Sequence, residues 1–164
     1  MMRTVVLAAS LALASCTAQT GTLPTAGPAP VIAPSPPSGQ ATLIHDRAAA
    51  ARLLSAGGIT LQWIDWNRRG SLNARTVDGR ILLTGTQSAQ SGPGKLYLDG
   101  WVKEIGTDYF IFAGTIRIAD TPDEGRRCEA DRTWRFAITQ DRPYWRLRDF
   151  EWCDGLTDYV DIYF

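Results

Sequence analysis

The chain has 164 residues, with 17 basic and 17 acidic side chains and one histidine. Nothing in that even balance points to a nucleic-acid partner, which would need a clustered basic face. Once an N-terminal leader and a linker are set aside, the remaining length suits one domain with a single core.

Residues 1–15 read as an export signal. Arg3 supplies the basic start, and Thr4 to Ala14 (TVVLAASLALA) is almost wholly apolar. That run is about half of the roughly 20 residues needed to span a bilayer as a helix. It ends in Leu13-Ala14-Ser15-Cys16. This tetrapeptide resembles the lipobox of bacterial lipoproteins. The resemblance implies that Cys16 receives a diacylglyceryl group, that cleavage just before it removes residues 1–15, and that the new N-terminus is acylated, with palmitate among the expected chains. Each buried methylene contributes about 0.8 kcal/mol and stable anchoring takes at least two chains, so such an anchor holds its protein on the membrane. Thr17, which follows Cys16, carries no acidic retention signal. The resemblance therefore implies the outer membrane, facing the periplasm.

Residues 16–40 join the lipidated cysteine to a linker. Thr17 to Gln40 holds six of the nine prolines and no charge. Such a composition buries too little apolar surface to offset its ordering entropy, so a disordered spacer rich in polyproline II is expected. Residues 41–164 then form one domain.

Ala41 to Ala56 reads as the helix of that domain, with Thr42 as a candidate N-cap and Gly57-Gly58 as the stop. Leu43, Arg47, Ala50 and Leu54 share one thin face, which suits a helix lying across a sheet or over an open end. From Ile59 the period becomes two, with Ile59, Leu61 and Trp63 on one side. Asn67 to Gly70 is a turn, and Leu72 to Thr76 a strand. Asp78-Gly79 signals a hairpin into Arg80 to Gln87. Ser88 to Gly94 is a loop before Lys95 to Val102. Asp108 to Ile118 is the clearest strand, with Phe110, Phe112, Gly114, Ile116 and Ile118 facing one way. Strands follow at Arg132 to Thr139, with Trp134, Phe136 and Ile138 inward, at Tyr144 to Cys153, and at Asp158 to Phe164. Gly85, Gly100 and Gly114 recur near strand centres, which suggests sharp bending or close approach. The fold class is mainly β: an antiparallel meander of about eight strands forming a small barrel or strongly coiled sheet, with one N-terminal helix.

With Cys16 spent on lipid, Cys128 and Cys153 remain as a pair. In an oxidising compartment a disulfide between them is expected. It closes a loop of about 26 residues, worth roughly 3–4 kcal/mol on the chain-entropy model.

No catalytic residue is identified. There is no G-x-S-x-G elbow, no dinucleotide fingerprint and no phosphate-binding loop, and His45 has no partner pattern. No cofactor and no metal is expected. The acidic sets Asp120, Asp123, Glu124 and Asp154, Asp158, Asp161 match no EF-hand register and read as solvated turn formers. The most distinctive stretch is Arg126 to Phe164, dense in Trp, Tyr and Arg. It has the general look of small uncharacterised envelope lipoproteins. It divides between barrel core with cross-strand ion pairs and an interaction surface of hot-spot composition. The candidate binding surface is Trp134, Tyr144, Trp145, Arg146, Arg148 and Trp152. The expected role is a non-catalytic, membrane-tethered module that binds a protein or glycan of the cell envelope. The alternatives are a lipocalin-like carrier of a small apolar ligand and an inhibitor of a hydrolase. The sequence leaves the oligomeric state open.

Overall fold

The computed structural model describes residues 40–164. The leader, Cys16 and the linker up to residue 39 lie outside the described residues.

Nine strands and one helix run in the order β1 (Leu43–Ile44), α1 (Arg47–Leu54), β2 (Gly58–Leu61), β3 (Ser71–Val77), β4 (Arg80–Ser88), β5 (Lys95–Ile105), β6 (Tyr109–Ala119), β7 (Arg127–Ala137), β8 (Tyr144–Leu147) and β9 (Val160–Tyr163). Eight of the strands pair antiparallel in the spatial order β2-β9-β8-β7-β6-β5-β4-β3. The two ends of that path meet at one bridge, in which Gly70 N–H donates to Ile59 O at 2.8 Å and Ile59 N–H to Gly70 O at 3.3 Å. The buried Gln87 side chain reinforces the seam. Its Oε1 accepts from Leu61 N–H at 2.6 Å, and its Nε2 donates to the carbonyls of Asp65 and Arg68. The result is a nearly closed antiparallel barrel, as the period-two pattern predicts.

Alternation fills the interior. Leu83, Leu96, Leu98, Val102, Phe110, Phe112, Ile116, Ile118, Trp134, Phe136, Trp145 and Ile162 belong to one core cluster and are essentially unexposed. Phe110 stacks on Phe136 with centroids 4.8 Å apart, and Trp145 meets Phe110 edge-on at 5.7 Å. Each such side chain contributes about 1.5–3 kcal/mol by burial alone. The rings occupy the space that a carried ligand would need. The expected glycine approach is present: Gly100 pairs directly with Gly114, and a Cβ on either would lie 2.2 Å from a backbone oxygen of the facing strand.

The N-terminal helix is shorter than its sequence pattern predicts. Asp46, not Thr42, is the N-cap, accepting from Ala48 and Ala49 N–H at 2.8 and 3.0 Å. The Thr42 hydroxyl is taken by β4 and β5, donating to Val102 O at 2.6 Å and accepting from Ile81 N–H. Leu43 and Ile44 pair parallel with Glu104 and Ile105. This long-range ladder leaves no local trace, and it claims the residues that local propensity assigns to the helix. The buried stripe is Ala49, Ala50 and Leu53, rather than the predicted Leu43, Arg47, Ala50 and Leu54. α1 lies across one mouth of the barrel. Arg52 donates to Thr107 O in the β5–β6 turn and rests on the rings of Phe164 and Trp145 at 4.9 and 5.8 Å.

The opposite mouth is closed by loops. β7 pairs with β8 only at Phe136↔Leu147 and Ala137↔Arg146. Below that point the chain leaves the ladder, so the predicted strand over Tyr144–Cys153 stops at Leu147. The Cys128–Cys153 disulfide, with Cα atoms 5.9 Å apart, ties the departing segment back to β7. β7 itself begins at Arg127, five residues before the predicted start. Its outward positions there are charged, and β6 supplies the pairing. Trp63, expected on the same strand side as Ile59 and Leu61, lies past the end of β2 in a turn and is 37 % exposed.

Candidate functional site: an aromatic and arginine face

Two arginine–aspartate clusters flank the C-terminal strands. At the loop-closed mouth, Arg126 donates five hydrogen bonds. Nε and Nη2 reach both Asp154 oxygens at 2.8 Å, Nη1 and Nη2 reach both Asp158 oxygens at 2.9 Å, and Nη1 also reaches Thr121 O at 3.0 Å. A guanidinium carries five N–H donors, so Arg126 has none left for a ligand. Trp63 Nε1–H adds a bond to Asp158 at 3.1 Å. Hydrogen bonds from the Arg126 guanidinium hold the Asp154 carboxyl below the ordinary aspartate value, and those bonds push the Arg126 pKa up.

The second cluster sits on the outer wall formed by β8, β9 and β2. Register places Arg146 opposite Asp161 and Tyr144 opposite Tyr163. Arg146 Nε and Nη2 donate to the two Asp161 oxygens at 2.7 Å, a bidentate pair. Asp161 has no exposure, although it points outward from the barrel. Three rings roof the pair: the Arg146 guanidinium lies 4.1 Å from the Tyr159 ring centroid, 5.2 Å from Tyr144 and 5.4 Å from Trp66. Nη2 also reaches the Tyr144 hydroxyl at 3.3 Å. Burial pushes the Asp161 carboxyl up, against the downward pull of Arg146, while the bond from Asp161 raises Arg146. Beside Asp161 in register lies Thr60, whose buried hydroxyl has no hydrogen-bond partner among the described residues. Arg146 Nη1 donates no hydrogen bond among the described residues.

The roof continues into a cleft. Trp66, 43 % exposed, packs on Tyr159, whose ring meets Phe150 at 5.3 Å. Arg148 lies over Phe150 at 5.8 Å. Arg148, Asp149, Phe150, Glu151, Trp152 and Arg132 then line an open cleft of about 340 Å³.

The predicted surface residues thus divide three ways. Tyr144 and Arg146 form part of the roofed pair. Arg148 and Trp152 line the cleft. Trp134 and Trp145 are fully buried and belong to the core, which corrects their placement on a surface. Both have inward parity on their strands, and composition alone does not separate the two sides of a wall. Trp66, Tyr159, Tyr163, Phe150 and Asp161 complete the face. Trp66 precedes the Arg-rich stretch by some sixty residues, and only the barrel seam brings it there. Of the acidic residues at 154, 158 and 161, Asp154 is an exposed turn residue paired with Arg126, whereas Asp158 and Asp161 are not solvated turn formers but fully buried ion-pair partners. Asp120 pairs with Arg127. Among the described residues, the one group with metal-ligand spacing is Cys128, Cys153 and Asp154, and its two sulfurs are consumed by the disulfide. His45 lies on the surface 3.5 Å from Glu104.

A family described as the PM1083 family matches residues 41–164. The chain is 30 % identical over 115 residues to the uncharacterized protein PM1083 of Pasteurella multocida (strain Pm70), an alignment that covers 69 % of this chain and 74 % of that protein. No solved structure matches the chain.

Proposed function

We propose the following role for the chain, which belongs to the PM1083 family: it is a non-catalytic envelope module, tethered through lipid on Cys16, that binds a partner protein through the face of Trp66, Tyr144, Tyr159 and Arg146. One observation carries this. Arg146 is oriented by Asp161 and roofed by three rings, yet its Nη1 edge is unclaimed, and Trp66 stands exposed at its side. Tyr, Trp and Arg in a preorganised patch are the composition of interface hot spots. Holding the rings in place beforehand lowers the entropy that a partner must overcome on binding. A backbone carbonyl or carboxylate of the partner would complete the Arg146 donors.

The tether is the other half of the proposal. The Leu13-Ala14-Ser15-Cys16 run supports lipidation at Cys16, and the uncharged, proline-rich segment up to Gln40 supports a spacer. Thr17 supports the outer membrane, with the domain in the periplasm. The filled interior lends nothing to the alternative of a small-ligand carrier.

The test is crosslinking in cells that express the tagged full-length chain, comparing wild type with Trp66→Ala. A protein captured by wild type and lost in the variant supports the role. Equal capture by both, or no capture by either, overturns it. Separately, Cys16→Ser should move the chain out of the membrane fraction, and a chain that stays there overturns the anchor.

A further inference from the structure

The wall of the barrel away from β9 and β2 carries a second feature. Across β5, β6 and β7 the register puts Asp99, Thr115 and Asp131 in one row, and Trp101, Ala113 and Thr133 in the next. Between the rows Gly100 faces Gly114. Neither glycine tolerates a side chain. A Cβ on Gly100 would lie 2.2 Å from Ala113 O, one on Gly114 2.2 Å from Asp99 O, and both within 3 Å of Phe112 Cζ. The buried Phe112 ring therefore backs a floor of bare backbone. β6 presents only Ala113 and Thr115 outward here, so the longer side chains of β5 and β7 stand above it as walls. The space between is a trough of about 420 Å³.

The lining is unspent. The side chains of Asp99, Thr115, Asp131 and Thr133 make no hydrogen bond or ion pair among the described residues. The Trp101 ring is held by Arg80, whose guanidinium lies 4.6 Å from its centroid. Arg132, at the β7 end, stacks on Trp134 at 4.1 Å.

We propose that this trough is a saccharide subsite that takes a neutral, hydroxyl-rich sugar ring. Its volume is at the small end of ligand pockets, which suits one or two rings. The free groups are chiefly acceptors, two carboxylates and two hydroxyls, so the ligand must bring donors. Asp99 and Asp131 offset the guanidinium of Arg132 and that of Arg80 over Trp101, so the trough has no excess positive charge to favour a phosphorylated or carboxylated ligand. Asp99 and Asp131 stand on strands two spacings apart, about 10 Å between backbones, and so meet hydroxyls at opposite edges of a ring. Trp101 offers the flat apolar surface on which the C–H face of a pyranose stacks. The proposal is independent of Trp66, Tyr144, Tyr159 and Arg146, none of which lines the trough, while Arg132 borders both the trough and the neighbouring cleft.

The test titrates the isotope-labelled protein with linear oligomers of glucose and of N-acetylglucosamine, reading amide shifts by NMR. Shifts are expected at Gly100, Gly114 and Thr115. Affinity should fall roughly tenfold or more in Trp101→Ala and in Asp131→Asn, and stay unchanged in Trp66→Ala. Ala113→Tyr fills the trough without removing a wall and should abolish the shifts. No shift at these amides with either oligomer, or undiminished binding by a folded Ala113→Tyr protein, overturns the subsite. Loss of binding in Trp66→Ala overturns its independence.

Discussion

Arg126 and Arg146 each hold one buried aspartate bidentately, yet the two clusters differ in their donors. Arg126 spends every donor inside the molecule. It joins the loop after β6 to the segment between β8 and β9, at the mouth where the β7–β8 ladder ends. The disulfide ties the same segment to Cys128 at the start of β7. Among the described residues Arg146 spends three donors, makes no hydrogen bond through Nη1, and carries exposed aromatic surface above it. A saturated arginine is a clamp, whereas an arginine oriented but unsaturated is the feature on which the proposed partner contact rests. Donor count, more than charge or burial, separates the two.

Breaking the clamp should have the largest effect. Arg126→Ala leaves Asp158 fully buried and uncompensated, and removing one partner of such a pair costs about 3–5 kcal/mol. Chemical denaturation should show that loss. A change within 1 kcal/mol would mean that the cluster does not hold the mouth closed.

Replacing both Cys128 and Cys153 with serine should cost slightly less. The sequence separation is 25, which on the chain-entropy model is worth about 3.5 kcal/mol. The loss should show as a lower midpoint in denaturant, and an unchanged midpoint would mean that Arg126 alone secures the segment.

On the other cluster the readout changes. Trp66→Ala removes an exposed ring, so stability should move by less than about 1 kcal/mol. Partner affinity should fall by about 2 kcal/mol, a factor of roughly thirty. If stability falls and binding holds, Trp66 is packing rather than interface.

The finest distinction lies in pH. Asp154 titrates below the ordinary 3.8 because Arg126 bonds its carboxylate. Its stabilisation is therefore present above pH 3.8 and lost as pH falls through its lowered pKa. Asp161 titrates above 3.8 because burial outweighs Arg146. Its contribution therefore weakens as pH rises from 3.8 through its raised pKa. The stability difference between wild type and Asp154→Asn should shrink below pH 3.8. The difference between wild type and Asp161→Asn should shift in favour of wild type as pH is lowered toward 3.8. Carboxyl carbon NMR titration, which orders the two aspartates directly, would reverse that order if Asp161 were well solvated.

Much of the barrel is legible in the chain. The alternation in 108–118, the Asp78-Gly79 hairpin and the central glycines all rest on period, turn chemistry and backbone clearance, which are local. The site is less legible. Tyr144, Arg146, Arg148 and Trp152 are singled out by composition, but so are Trp134 and Trp145, which belong to the core. Strand parity separates the two sets: alternation alone turns Trp134 inward, but at Arg146 it needs the pairing. Trp134 shares its parity with Phe136, whereas Arg146 lies opposite the outward Asp161, and that second parity follows only from pairing with β9.

By itself the sequence determined the strand period, the expectation of a Cys128–Cys153 disulfide and the aromatic–arginine character of the C-terminal stretch. These are properties of neighbours along the chain. Tertiary structure decided where the helix starts, because Leu43 and Ile44 pair with β5, some sixty residues away. It decided which aspartates are buried, and it brought Trp66 over Arg146. The reason is physical. A side chain's burial and its free donors depend on what the barrel folds against it, and ring closure at Ile59 and Gly70 joins stretches far apart in sequence.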